Sequence, residues 1–222
     1  MTIRSVFNSF FSQALAVLAA VLILAGCSSM YYSTMEKVGV HKRDILVDRV
    51  EAAQDAQSDA QEKFSSALEE FATVVNIGDS DLKQAYERFN AEFEGAEQAA
   101  DRVSERIDKV ASVAEALFRE WEKELDLYSN ASLRQASKVR LQETRQRYAT
   151  MLASMHRAEE SMAPVLDAFR DHVLFLKHNL NAQAIGALKF EFASLKKDID
   201  ALIREMNASI ESSQRFIAEI QA

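Results

Sequence analysis

Beyond residue 40, apolar residues recur at alternating spacings of three and four, which places them on one face of an α-helix. The first seam runs Leu46, Val50, Ala53, Gln57, Ala60, Phe64, Ala67, Phe71, Val74. A second runs Leu82, Tyr86, Phe89, Phe93, Ala96, Ala100, Val103, Ile107, Val110, Ala114, Leu117, Trp121 and, after a polar lapse at Glu124, Tyr128. The third is Leu141, Thr144, Tyr148, Met151, Met155, Ala158, Met162, Val165, Phe169, His172, Leu176, Leu180. The fourth is Leu188, Phe192, Leu195, Ile199, Leu202, Met206, Ser209, Ser213, Phe216, Ile220, widened by Ile210 and Ile217.

Short turn signals separate the seams: Gly78-Asp79-Ser80, Ser129-Asn130, and the pair Asn179 and Asn181. Such turns leave no slack for a crossover, so consecutive helices must be antiparallel neighbours. The pattern predicts an all-α fold, an elongated up-down bundle of four long coiled-coil-like helices over residues 41–222. Read as far as Tyr128, the second helix would span roughly 72 Å, against about 54 Å for a first helix between His41 and Asn76. The second should therefore overshoot the start of the first by roughly 18 Å. Pro164 lies inside the third seam without a phase shift from Met162 to Val165, which predicts a kinked but continuous helix. Gly95 lies beside the second seam, where either close helix approach or simple tolerance accounts for it.

Composition agrees. Five glycines and one proline in 222 residues exclude turn-rich sandwiches, barrels and doubly wound sheets. With 34 acidic against 26 basic residues, the chain lacks an overall nucleic-acid footprint, and its one cysteine excludes an intramolecular disulfide or a thiolate metal cluster.

That cysteine carries the most specific signal. After Arg4, the apolar run Ala14 to Ala25 (ALAVLAAVLILA) is too short to span a bilayer as a helix, and Leu24-Ala25-Gly26-Cys27 follows directly. The arrangement resembles the lipobox of bacterial lipoproteins, in which the cysteine thiol receives a diacylglycerol and the signal peptide is cut before it. On this reading residues 1–26 are a signal peptide, Cys27 is the lipidation site, and 27–40 are a lipidated tether leading to the bundle domain. Two or more acyl chains hold a protein to a membrane durably. Ser28, rather than an acidic residue, follows Cys27 and resembles the cue for export to the periplasmic face of the outer membrane.

The chain has no phosphate-binding glycine loop, HExxH motif or nucleophile elbow. Ala153, Phe169 and Phe175 stand three residues before His156, His172 and His178, where a di-iron bundle would need Glu. His172 on the seam and Met151, Met155 and Met162 beside it fit core packing. No enzyme activity, metal or cofactor is expected.

Charge is uneven. Residues 79–128 hold 14 acids and 7 bases, whereas 131–157 hold six bases against Glu143 alone. Arg134, Lys138, Arg140, Arg145 and Arg147 admit two readings. One is complementarity across the hairpin with Glu115, Glu120, Glu122, Glu124 and Asp126; the other is an anion-binding tip that meets membrane headgroups. At the opposite end, the turn with His178, Asn179 and Asn181 serves either as a helix cap or as a docking site for an envelope protein or glycan.

Arg170 to Ile185 (RDHVLFLKHNLNAQAI), following Met162-Ala163-Pro164-Val165, resembles a family of uncharacterised proteobacterial lipoproteins catalogued as a domain of unknown function. The likeness extends over most of the chain beyond Cys27. It implies an all-helical fold and a diderm host, and brings no activity or site residues. The expected function is that of a non-enzymatic envelope lipoprotein, a scaffold or docking rod in the periplasm. The alternative is a membrane-surface module that binds anionic lipid through the basic tip.

Overall fold

The structure, a computed structural model, describes residues 41–76 and 81–222. The expected signal peptide (1–26), Cys27, the expected tether (27–40) and the Gly78-Asp79-Ser80 turn lie outside the described residues. Four helices follow in order: α1 (Lys42–Asn76), α2 (Leu82–Glu124), α3 (Ala131–His178) and α4 (Ala182–Gln221), with a 3-10 turn (Leu125–Leu127) between α2 and α3. There is no strand among the described residues. α1 packs against α2 and α4, and α3 packs against the same two helices, which closes an up-down-up-down ring.

The seams are the core. All nine positions of the first seam are buried, joined by Ile45, Val47 and Val75. Large side chains gather toward the two ends of the rod. In the half away from His41, Phe71 of α1 lies 5.2 Å from Phe89 of α2 and 6.1 Å from Phe192 of α4, and Phe89 meets Phe169 of α3 edge-on at 5.7 Å. In the half that includes His41, Tyr148 of α3 meets Phe118 of α2 at 5.4 Å and Phe216 of α4 at 6.2 Å. Between them the core takes in the small or polar residues Ala53, Gln57, Ala60, Ser154, Ala158, Ser209 and Ser213 alongside Met155, Met162 and Met206, all buried.

Helix lengths depart from expectation at one end. α2 stops at Glu124 after 43 residues, because the chain tightens into the 3-10 turn and then extends at Tyr128. The polar lapse in the second seam is thus the end of the helix. Asn130 restarts the chain: its side-chain oxygen accepts from the backbone N–H groups of Ser132 (2.9 Å) and Leu133 (3.1 Å), which caps α3. α3 therefore begins ten residues before Leu141 and is the longest helix, 48 residues and about 72 Å. It runs unbroken through Pro164. Gly95 is not a close-approach site: a Cβ there would meet only the alkyl chain of Lys63, at an ordinary 3.5 Å.

Candidate functional site

Two ends of the rod carry the residues singled out from the sequence. At the end where α1 begins, Lys42 is buried and reaches Glu120 of α2 at 3.0 Å, fixing the start of α1 beside the end of α2. Arg147 meets Glu219 at 3.3 Å, which sets the end of α4 at the same level. Beyond this level, among the described residues, only α2, the 3-10 turn and the first turns of α3 continue, so the sequence-predicted overshoot is a hairpin rather than a single helix. Trp121 closes its base, with the indole Nε1 donating to Ser137 Oγ at 2.8 Å.

Of the five bases at this end, three have intramolecular partners. Arg134 pairs with Asp126 across the turn, Arg145 with Glu122 at 2.6 Å, and Arg147 with Glu219. The guanidinium of Arg145 also lies 5.3 Å from the centroid of the Phe118 ring. The Arg145 hydrogen bond holds the Glu122 carboxyl below the usual carboxylate range. Lys138 and Arg140 make no ion pair among the described residues. Glu115 pairs with Arg119 one turn along and Glu120 with Lys42. Sequence reasoning missed the apolar side chains here: Leu127, Leu133 and Val139 are exposed, as is Tyr128. The signal was available, because the three aliphatic residues fall off every seam and flank a turn.

At the far end, Asn179 is a cap. Its side-chain amide donates to Phe175 O at 2.9 Å and its backbone N–H to Leu176 O at 3.1 Å. Asn181 donates its backbone N–H to Asn179 O at 3.0 Å, and its own carbonyl accepts from Ile185, starting α4. His178 is exposed at the helix end. Leu174, Phe175, Leu180 and Phe190 are exposed around it. His172 is the perturbed histidine: its ring stacks flat on Phe71, with centroids 4.7 Å apart, and burial lowers its pKa against the raising influence of Glu191 and Asp171. Among the described residues, no group of three or more His, Cys, Asp or Glu side chains is placed to hold a metal ion, and no helix is long and apolar enough to cross a membrane.

Seams, ring closure and antiparallel order together define an elongated all-α bundle of the up-down type. Within that class, the profile of the family described as "Protein of unknown function (DUF2959)" matches residues 31–220, and the chain belongs to this family. No curated protein and no solved structure matches it.

Proposed function

We propose that this protein is a non-enzymatic lipoprotein of the bacterial envelope, held by an acylated Cys27 at the periplasmic face of the outer membrane. There the bundle acts as a scaffold or docking rod for an envelope protein or glycan. The observation that carries the reading is the single cysteine directly after the twelve-residue apolar run, ahead of a self-contained bundle. A rod with its side chains committed to packing and surface pairs suits spacing better than turnover. Serine cannot substitute for the thiol in lipid transfer. Cys27→Ser should therefore abolish incorporation of a palmitate-type probe and leave unprocessed precursor. Unchanged labelling of the variant would end the lipoprotein reading.

The second reading, a membrane-surface module that meets anionic lipid through its basic tip, is favoured by position, since the five bases stand at the end where residues 1–40 enter. It is weakened by chemistry, because three of the five are already neutralised by partners. Reversing Arg134, Lys138, Arg140, Arg145 and Arg147 to Glu should remove any binding to anionic vesicles that falls with added salt. A parent protein without such salt-sensitive binding would sink this reading.

A further inference from the structure

Among the described residues, the end of the rod that contains His41 is not closed as a bundle. α1 starts at Lys42 opposite Glu120, and α4 finishes at Gln221, just past the Glu219 that pairs with Arg147. From Arg147 back to Ala131, α3 runs on for about 24 Å with, among the described residues, only the end of α2 and the 3-10 turn beside it. The stripe of α3 that faces α4 at Arg147 returns, at seven-residue steps, at Arg140 and Leu133, where α4 no longer covers it. The consequence is a set of exposed apolar side chains on the hairpin that forms this end. Leu127 is 81% exposed, Leu133 57% and Val139 42%, with Tyr128 beside them. Ala131, Ser132, Gln135, Ala136 and Val139 line a shallow depression on another face of the same helix.

Single exposed leucines are ordinary, but several concentrated on one hairpin point to an interaction surface. Which surface is settled by what lies nearest. The chain preceding the bundle enters at this end, and the segment Cys27 to Val40 is 14 residues long, a stretch of at most about 50 Å when extended. Local charge is also spent, since Arg134 and Arg145 are matched by Asp126 and Glu122. Lys138 and Arg140 remain to reach lipid phosphates while their alkyl stems lie along apolar surface.

We infer that this apex is a membrane wedge. Leu127, Leu133 and Val139 enter the boundary between headgroups and acyl chains, Tyr128 sits at headgroup level, and the rod is planted by its tip as well as by its lipid. The inference rests on the anchoring proposal only for bringing a bilayer within reach. Because apolar contact carries it, salt should not release the tip, in contrast to a purely basic surface.

Trp121 is the only tryptophan, so added indoles can be read against a single background. The full chain, Leu127→Trp and Phe190→Trp would be mixed with excess vesicles whose phospholipids carry bromine high on the acyl chain. Phe190 is 85% exposed at the opposite end and serves as the control. The emission added at position 127 should be quenched severalfold more than that added at 190, and equally so in 1 M salt. Adding Leu133→Asp and Val139→Asp to Leu127→Trp should abolish most of that quenching, with helical melting unchanged. Equal quenching at both ends would overturn the wedge. So would a blue-shifted but unquenched indole at 127, which would mean that protein covers the tip, and so would quenching that survives the aspartates. The mass of the same preparation reads acylation at Cys27 separately. An acylated chain with an unquenched tip therefore refutes the wedge alone, and an unacylated chain with a quenched tip refutes the anchor alone.

Discussion

His172 shows how one residue can satisfy a seam and still carry a titration. Its place in the third seam asks for an apolar side chain, and the flat stack on Phe71 is what a neutral imidazole supplies. Burial depresses its folded-state pKa below the ordinary 6.5. The stability it contributes is therefore fully present above about pH 6.5 and is lost as pH falls, because the unfolded chain takes up the proton first. Urea midpoints at pH 8 and pH 5 should differ more for the wild type than for His172→Phe; equal differences would refute this assignment. Gly95 makes the opposite point, that an exception in the pattern need not have a structural reason. The Lys63 alkyl chain at 3.5 Å leaves room for a methyl group. Gly95→Ala should raise stability by about 0.5–1 kcal/mol through helix propensity, measured by urea unfolding.

Among the elements, the seams were legible because helices this long repeat the same demand every turn. One misplaced residue, such as Gln57 or Thr144, does not hide the period. The ends were less legible. Phe118 is buried at the end of α2, edge-on to Tyr148 of α3, while Leu117 and Trp121 are only partly buried. The first turns of α3 carry no seam at all, since there is no core for them to face. Only the capping residue announced them. Asn130→Ala should therefore cost about 1 kcal/mol and fray α3 back toward Leu141, visible as faster amide exchange over residues 131–140. The same lack of a core explains why the bases were read from the sequence and the apolar apex was not. Charge can be counted along a segment, whereas an uncovered leucine is recognised only when the ends of α1 and α4 are known.

In the whole molecule, what remains to be explained is how four helices with similar seams choose one register. α1 and α4 are joined by no turn, and apolar contacts alone tolerate sliding by a turn. Midway along the rod, fully buried Gln57 donates from Nε2 to Ser209 Oγ at 3.0 Å, and Ser213 Oγ donates to Ser209 O at 2.9 Å. On the surface above, Gln61 Nε2 reaches Asn207 Oδ1 at 3.1 Å. Gln57 Oε1 and Gln54 Nε2 are buried without a hydrogen-bond partner among the described residues. A half-satisfied polar layer of this kind does not maximise stability, but it penalises every register in which Gln57 would face only aliphatic side chains. The expected result is a sign change in a double-mutant cycle. Ser209→Ala alone should cost about 1–3 kcal/mol, because it leaves a buried amide donor unpaired. Gln57→Leu combined with Ser209→Ala should recover that loss or exceed wild-type stability, since both polar partners then leave together. If the layer also sets the register, a cysteine pair that crosslinks the native α1–α4 alignment should react cleanly in the wild type. The stabilised double variant should give a mixture displaced by one helical turn. Additive costs in the cycle, or a single crosslinked register in the double variant, would show that the large aromatic side chains at either end of the rod set the alignment and that Gln57 is only a tolerated polar residue.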